Sequence, residues 1–385
     1  MSTENYDVII IGAGSVGVPA AMALAGEKLS VLVIDELPSP GQGNNKKAIG
    51  GIRATHSDFG KIQVCLRSIE IFAGWHEQHG DDLGWLSNGY SYPAYTASDE
   101  AKLKALLEIQ LSFGLNIRWL SPQEYLELVP GLNPDGLRGA TYSPGDGSAS
   151  PLLAMNAFYF KSLAFGARYR FGEQVTGIRH AIGQMTGVVT DRGEYGCRTL
   201  INAAGNEARR VAELAGTSFP VAPDNHEAAI TEPVQRFFGP MIVDMRQGED
   251  SLNYYFYQNN EGQVVFCITP HPSIWGVDNA STSVFFPQVA RRMVSLYPRL
   301  ANLKVRRSWR GQYPMTPDGF PIVGRTRDLP DFIQAIGMCG QGFMLGPGLG
   351  ELLARMVTGA LSESDHQILK SFDPYRDFSG TEAFK

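Results

Sequence analysis

The segment Tyr6-Asp7-Val8-Ile9-Ile10-Ile11-Gly12-Ala13-Gly14-Ser15-Val16-Gly17 joins an apolar run to three closely spaced glycines. The apolar run predicts a buried strand, and the alanine-rich stretch from Val18 to Gly26 predicts a helix directly after it. A second apolar strand, Leu29–Ile34, ends at the acidic pair Asp35-Glu36. This order of strand, glycine turn, helix and strand is typical of the first unit of a dinucleotide-binding sheet.

The three glycines of this segment have different physical tasks. Gly12 permits a tight turn, Gly14 lets the backbone approach a pyrophosphate, and Gly17 lets the helix pack closely on the strand. Because the first N–H groups of a helix lack partners within it, those around Ser15 and Val16 can donate to phosphate oxygens. The spacing therefore predicts a dinucleotide site, and a glycine turn without a nucleotide is the alternative.

An acidic pair stands where such a site binds ribose. Asp35 lies 18 residues after Gly17, and Glu36 follows it. A carboxylate at the end of the second strand can accept hydrogen bonds from ribose hydroxyls. The motif by itself leaves NAD and FAD open.

Composition restricts the class of protein. At about 150 residues per domain, the 385 residues predict two or three domains. The 43 glycines exceed the roughly 27 expected from a usage of ~7%, which indicates many tight turns. The net charge of −6 argues against a nucleic-acid or anionic-membrane partner. We find no transmembrane run and no secretory signal, so we expect a cytoplasmic protein.

The cysteines indicate neither a metal site nor a redox motif. Cys65, Cys197, Cys267 and Cys339 are far apart in the sequence, and no CxxC pair occurs. We expect four buried free thiols and no metal.

Helix and hairpin signals continue along the chain. Helix starts are predicted at Asp58, Ser98, Ser121-Pro122-Gln123-Glu124 and Ser150-Pro151. The pattern over 186–200 predicts a short meander that ends in a strand over 199–203. The strands 253–258 and 263–269 are predicted to form a hairpin, and a helix is predicted over 287–297. Alternating strands and helices at both ends, around a β-rich middle, predict a nucleotide domain interrupted by an inserted domain.

A second glycine cluster lies near the C-terminus. After the predicted strand Phe332–Ile336, and leading into a predicted helix, come Gly337, Gly340, Gly342, Gly346, Gly348 and Gly350. One interpretation is a glycine-tolerant turn with close helix packing. The other is a helix start aimed at the ring system of a cofactor, where the helix dipole stabilises negative charge.

These motifs together resemble the amino-acid oxidase family of FAD enzymes, which includes glycine oxidase, the sarcosine oxidases and D-amino-acid oxidase. The resemblance is strongest to the β subunits of heterotetrameric sarcosine oxidase and of the dye-linked L-proline dehydrogenases. It rests on five ordered segments: Asp7–Gly17, Gly50-Gly51-Ile52-Arg53, Asn202-Ala203-Ala204-Gly205, the stretch from Thr316 to Gly324, and Gly337–Glu351.

The resemblance implies a fold that is α/β plus α+β. A discontinuous Rossmann-like FAD domain would comprise residues 1–85, 146–220 and 320–385. An inserted mixed-sheet substrate domain would comprise residues 86–145 and 221–319. The implied reaction removes a hydride from the carbon beside an amine nitrogen, delivers it to flavin N5 and leaves an imine.

The resemblance also implies which residues contact the cofactor. The FAD is expected to be non-covalent, because the segment 311–315 lacks the cysteine by which monomeric sarcosine oxidases attach flavin. The expected cofactor contacts are Gly12, Gly14, Ser15, Val16, Gly17, Asp35, Glu36, Lys46, Lys47, Ala48, Gly51, Ile52, Val175, Ala204, Gly205, Gly311, Gly337, Gly340, Gln341, Gly342, Phe343 and Met344.

Three positions bear on the substrate carboxylate. Arg53 matches the arginine that binds it in the sarcosine oxidases, and a surface arginine is the alternative. Glycine oxidase and D-amino-acid oxidase use an arginine in a segment where this chain has Tyr313, with Arg310 shifted and pointing elsewhere. Met344 replaces a lysine of monomeric sarcosine oxidases, and ordinary helix packing is its alternative.

For the other candidate side chains, the sequence allows either a role in the site or a structural role. Alternation along the strand puts Tyr255 and Tyr257 on one face and Tyr254 on the other, and one of these faces covers the flavin. Tyr255 and Tyr313, with Arg53 and Met344, are the expected catalytic residues. His226 is expected to be a hydrogen-bonded structural residue. Lys46 and Lys47 meet either the FAD or solvent.

The electron acceptor is expected to be a dye, quinone or partner flavin rather than oxygen. Monomeric sarcosine oxidases place a lysine above the flavin, and the matching strand 263–267 has no lysine or arginine. A dehydrogenase acting on a small amine or amino acid is therefore favoured over an oxidase. The alternatives are a flavin-bearing subunit that is inactive without partners, and a non-catalytic dinucleotide-binding protein.

Overall fold

A computed structural model describes residues 4–382. Its strands are β1 (Glu4–Ile11), β2 (Val31–Asp35), β3 (Gly51–Ile52), β4 (Tyr90–Ala94), β5 (Arg118–Leu120), β6 (Gly139–Ser143), β7 (Gly147–Ser148), β8 (Arg168–Phe171), β9 (Val175–Ala181), β10 (Gln184–Thr190), β11 (Glu194–Asn202), β12 (Ala222–Thr231), β13 (Met241–Asp244), β14 (Ser251–Gln258), β15 (Val264–Pro270), β16 (Val305–Met315), β17 (Ile322–Thr326) and β18 (Leu329–Ile336).

The helices connect and cover these strands. They are α1 (Gly17–Gly26), α2 (Phe59–His79), α3 (Ala97–Ser112), α4 (Pro122–Leu128), α5 (Pro151–Ala164), α6 (Ala208–Glu213), α7 (Phe285–Leu296), α8 (Gly342–Thr358) and α9 (Glu363–Ser371). Short 3-10 turns span Asn45–Lys47, Gly205–Glu207 and Pro298–Asn302. No helix within residues 4–382 is long and apolar enough to cross a membrane.

The first sheet has the strand order β17-β18-β11-β1-β2-β8, with β10 and β9 attached beside β11. Its central strands are parallel, as expected for strands joined by helical crossovers. One face of β1 packs Val8 and Ile10 into a core with α1, α2, α5 and α8, while Ile9 and Ile11 pack on the opposite side. Burial on both faces explains why the second half of β1, Val8–Ile11, is a continuous apolar run rather than an alternating one.

The second sheet has the order β16-β12-β15-β14-β13-β4-β6-β5. Tyr254 and Phe256 pack on one face, in a cluster with side chains of α4 and α7. Tyr255 and Tyr257 lie on the opposite face, as the alternation predicts. We call this opposite face the inner face. From it Tyr257 donates to the carbonyl of Ile49, which lies in the loop between β2 and β3.

Most predicted elements are confirmed, including both βαβ strands and the 259–262 hairpin turn. Asp58 and Ser150 cap their helices, and Ser121 forms a capping box with Glu124. The predicted start at Ser98 is wrong: the helix begins at Ala97, because the Thr96 side chain accepts from the Asp99 N–H. The meander is confirmed, since β9, β10 and β11 pair antiparallel in sequence order, but its last strand begins earlier than predicted and runs over Glu194–Asn202. The four cysteines are free and buried, as predicted.

The two sheets divide the chain in an interrupted pattern. Strands of the second sheet lie between residues 90 and 143 and between residues 222 and 315. Strands of the first sheet occupy the three stretches before, between and after them. This distribution supports our proposal that residues 86–145 and 221–319 form the inserted domain and that residues 1–85, 146–220 and 320–385 form the nucleotide domain.

Candidate active site

A cavity of about 720 Å³ opens at the carboxyl ends of β1 and β2 and reaches the inner face of the second sheet. Ligands of open α/β sheets bind at this edge, beyond the carboxyl ends of the strands. The residues predicted to form the site that line its wall are Gly12, Gly14, Ser15, Val16, Asp35, Glu36, Lys46, Lys47, Ala48, Val175, Ala204, Gly205, Gly311, Tyr313, Gly337, Gly340, Gly342 and Phe343.

The first glycine turn leaves an open cradle on the cavity wall. At Gly12 (φ +107°) an added Cβ would lie 2.4 Å from the Ala203 carbonyl oxygen, so only glycine fits the turn. At Gly17 it would lie 1.8 Å from the Gly12 oxygen, which accounts for the close approach of α1 to the strand. At Gly14 nothing lies within 4 Å of that position. The space beside Gly14 is therefore free for a pyrophosphate, and this geometry fits a bound dinucleotide.

Asp35 holds the glycine turn as well as facing the cavity. Its carboxylate accepts from the N–H groups of Ala13 (2.6 Å) and Leu37 (2.8 Å). Burial raises the pKa of Asp35, and the two N–H donors oppose that rise. Each oxygen keeps a second lone pair for a ribose hydroxyl. Glu36 accepts from Gln174 and lies 3.8 Å from Arg210 at the same end of the cavity.

Part of the second glycine cluster faces the cavity, and the other part serves close helix packing. Gly337 (φ +67°), Gly340 (φ +78°) and Gly342 line the cavity just before and at the start of α8. Gly346 packs against the turn before α1 and against the helix itself, because an added Cβ there would lie 1.9 Å from the Ser15 oxygen and 3.7 Å from Pro19 Cγ. The first half of the cluster therefore faces the site, and the second half lets α1, α2 and α8 pack closely.

Tyr313 and Tyr255 form a hydroxyl pair on the inner face. Their oxygens are 2.7 Å apart, and Tyr313 also lines the cavity. Burial raises the pKa of both phenols well above the ordinary range. Both groups therefore stay neutral and keep their protons, so the pair offers a hydrogen-bond donor without a charge.

Arg53 is buried rather than on the surface. Only 9% of it is exposed, and its guanidinium donates to the Thr55 carbonyl and lies 3.2 Å from His56 Nδ1. It is absent from the cavity wall, as are six other predicted site residues. Those six are Gly17, Gly51, Ile52, Tyr255, Gln341 and Met344. Met344 lies in the apolar core with α1 and α2, which fits the packing alternative.

Lys47 contacts protein amides at the cavity wall. Its Nζ donates to Gln312 Oε1 (3.1 Å) and to Asn279 Oδ1, whereas Lys46 is exposed and bonds only to Gln42 within residues 4–382. Burial lowers the pKa of Lys47. Arg310 points away, as predicted, and pairs with Asp278 at 2.6 Å.

His226 is buried beside Asp224. Its Nε2 lies 3.4 Å from Asp224 Oδ2, and although burial alone would raise the pKa of that carboxyl, the contact with His226 helps to lower it. The His226 ring also stacks on Tyr313, with centroids 3.8 Å apart and an interplanar angle of 18°.

Sequence reasoning missed a group of amide side chains around Gln312. Asn44 bonds to Asn206 and accepts from the Gln312 N–H, while the Gln312 side chain contacts Asn225 and Lys47. Asn44, Asn206 and Gln312 all line the cavity. No motif marks them, because they come from three distant segments and meet only in the folded chain.

The fold and the cavity define a flavoprotein of the dinucleotide-binding class, and the chain belongs to the family of FAD dependent oxidoreductases (DAO), whose profile matches residues 7–356. The fold class and the family resemblance predicted from sequence are thereby confirmed.

Three related proteins show how far the likeness extends. Mitochondrial sarcosine dehydrogenase of Mus musculus is 25% identical over 377 residues, covering 94% of this chain but only 40% of its own length. Sarcosine oxidase subunit beta of Rhodobacter capsulatus is 24% identical over 367 residues, covering 92% of this chain and 86% of its own. The crystal structure of L-proline dehydrogenase from P. horikoshii has a TM-score of 0.90 at 30% identity, covering 97% of this chain and 98% of its own.

Proposed function

We propose that this chain oxidises a small amine or amino acid, sarcosine- or proline-like, at the carbon beside its nitrogen. The observation that carries the proposal is the neutral Tyr255–Tyr313 hydroxyl pair. Through Tyr313 the pair reaches a cavity that two glycine-rich turns also line, in a chain of an FAD-dependent family. The names of the related sarcosine and proline enzymes support the choice of substrate class.

The proposed reaction is a two-electron oxidation. When bound, FAD supplies the acceptor of the hydride. The substrate carbon loses that hydride, the nitrogen loses a proton, and the resulting imine is hydrolysed by water. We assign no protein base, because a neutral bound amine needs none to lose the hydride.

We propose that the cavity wall holds the cofactor at its two glycine-rich turns. The turn around Gly14 and the N–H groups at Ser15 and Val16 would receive the pyrophosphate, and Asp35 would receive the ribose. Gly337, Gly340 and Gly342 would let the start of α8 approach the ring system. These residues, with the others lining the cavity, are our proposed cofactor contacts.

We propose that Tyr255, Tyr313 and Arg53 make the polar contacts with the substrate. The Tyr255–Tyr313 pair would donate to the substrate from the inner face. Arg53, held behind the wall by Thr55 and His56, would supply the charge for a carboxylate. Met344 adds no charge, so the site has one cation fewer than the monomeric sarcosine oxidases.

We propose a dehydrogenase rather than an oxidase. On β15, alternation puts Val265, Cys267 and Thr269 on the inner face, and none of them carries a charge at neutral pH. A second candidate is a subunit that passes electrons to a partner, which the name of the R. capsulatus relative favours.

Anaerobic reduction of the isolated, FAD-loaded chain tests these proposals. Sarcosine, glycine, L-proline and D-proline are each added, and loss of the yellow flavin absorbance is followed. Bleaching by one of them supports the amine oxidation. A flavin that bleaches only when partner subunits are added supports the second candidate, and a flavin that no amine bleaches under either condition contradicts both.

A further inference from the structure

The Tyr313 ring is held from both sides. On one side the imidazole of His226 stacks on it, with the ring centroids 3.8 Å apart and an angle of 18° between the ring planes. On the other side lies Gly340, where an added Cβ would come within 2.4 Å of the ring carbons Cδ2 and Cε2. The positive φ of Gly340, +78°, and its missing side chain allow this contact. We call His226, Tyr313 and Gly340 the ring clamp.

The histidine of this clamp is buried and makes only one long polar contact. His226 is 6% exposed on β12, beside the strand that carries Tyr313. Its Nε2 lies 3.4 Å from Asp224 Oδ2, and its Nδ1 has no hydrogen-bond partner within residues 4–382. Burying a polar ring that is incompletely satisfied costs free energy. The flat face of the ring, which contacts Tyr313, is the part of His226 that bears on the cavity.

We propose that His226 is a positioning residue for substrate, which acts through Tyr313 by the flat face of its ring. A phenol has two side-chain dihedrals, and a stacked neighbour on one face with backbone on the other leaves its plane little freedom. The clamp fixes the Tyr313 hydroxyl 2.7 Å from that of Tyr255, and of these two residues Tyr313 lines the cavity. This inference rests on the proposed function of that pair.

The consequence is specific to substrate affinity. Without the stack, the phenol would sample other orientations and the hydroxyl pair would be ordered only part of the time. Substrate binding would then have to order the hydroxyl pair, and the free energy spent on this ordering would weaken the affinity. The limiting rate of hydride loss would change less than the affinity, because the hydroxyls hold the substrate and take no part in the bond that breaks.

The test uses the FAD-loaded full chain and four variants. His226→Leu removes the flat ring, His226→Phe keeps it without the nitrogens, Tyr313→Phe removes the hydroxyl, and the fourth combines His226→Leu with Tyr313→Phe. Rapid anaerobic mixing with the best amine gives the dissociation constant and the limiting reduction rate separately. Titration with methoxyacetate, whose ether oxygen prevents imine formation, measures binding without turnover through the flavin spectrum. Thermal unfolding and FAD content are measured on every variant.

We expect His226→Leu and Tyr313→Phe each to raise both dissociation constants about 5- to 10-fold. The double variant should exceed either single one by less than twofold, because both changes remove the same contact. His226→Phe should stay within about threefold of the wild-type constants. A merely structural histidine would lower the unfolding temperature without this pattern.

Three results would overturn the inference. They are a His226→Leu protein that keeps the wild-type constants, a double variant in which the two effects multiply, and a His226→Phe protein that is as weak as His226→Leu. A wild-type chain that no amine bleaches contradicts the proposed function, and methoxyacetate binding still decides the inference. A wild-type chain that neither bleaches nor binds methoxyacetate overturns both. If His226→Leu does not accumulate, His226→Met removes the flat ring instead.

Discussion

Lys61 Nζ lies 3.5 Å from Glu382 Oε2, and both side chains are completely buried. Lys61 also donates to the Gly319 carbonyl at 2.8 Å, and the other Glu382 oxygen accepts from the Ser57 hydroxyl at 2.7 Å. Burial lowers the pKa of Lys61, and the charge of Glu382 opposes that effect. These contacts therefore join Glu382 to α2 through Lys61 and to the loop before α2 through Ser57.

Glu382→Ala should destabilise the chain by about 3 kcal/mol, because it leaves a buried lysine without its counter-charge. Denaturant unfolding measures the change. Replacing both members, as Lys61→Met with Glu382→Ala, should be less destabilising than Glu382→Ala alone. Equal or larger loss in the double variant would show that the charge pair is not the cause.

Asp146 should make stability depend on pH between about 4 and 7. It is 1% exposed, accepts from the Ala54 N–H at 2.9 Å, and burial raises its pKa to about 7. A raised pKa means that the folded chain binds this proton more tightly than the unfolded chain. Its contribution is therefore greatest at low pH and is lost as the pH rises through about 7.

Asp146→Asn should remove this dependence. As the pH rises from 4 to 8, wild type should lose up to roughly 4 kcal/mol of unfolding free energy relative to Asp146→Asn. Other carboxylates titrate equally in both proteins, so the comparison isolates Asp146. A difference that does not change with pH would contradict the expected pKa.

The sequence predicted those parts of the site that follow from local backbone chemistry. The glycine turn at Gly12–Gly17 and the helix caps depend on residues that are neighbours in the chain. The ring clamp and the amides around Gln312 depend instead on contacts between β12, β16 and distant loops. Sequence spacing carries no information on such contacts, and so it does not predict the stack of His226 on Tyr313.

Arg53→Ala should weaken carboxylate substrates by roughly 10- to 100-fold, from ~1.5–3 kcal/mol for hydrogen bonds to a charged group. FAD content should stay near that of wild type, because Arg53 is not on the cavity wall. The dissociation constant from anaerobic bleaching measures the effect. An N-methyl amine without a carboxylate is the control and should bind the two proteins equally. If the affinity for carboxylate substrates did not change, a cationic side chain other than Arg53 would bind the substrate carboxylate.

The FAD should be released by acid. No cysteine lies in the segment 311–315, and the buried Cys339 contacts Thr316 rather than the cavity. Precipitation of the loaded chain should leave yellow flavin in the supernatant. A washed pellet that stays yellow would show a covalent bond.

Substrate-reduced protein should react slowly with oxygen and fast with an artificial dye. Transfer of the first electron to oxygen forms superoxide, and a fixed positive charge stabilises this anion strongly in a low-dielectric pocket. The inner face of β15 offers Val265 and Cys267 instead of a cation. Lys47 is a cation on the cavity wall, but amide oxygens of Gln312 and Asn279 hold its Nζ.

Rapid mixing of the reduced chain with air-saturated buffer or with the dye measures both rates. Lys47→Met is the matched variant: if Lys47 takes no part, its oxygen rate should equal that of wild type, while the dye rate stays high in both. Peroxide-producing turnover in air as fast as turnover with the dye would make the chain an oxidase. If that fast oxygen reaction disappeared in Lys47→Met, Lys47 would be the activating charge.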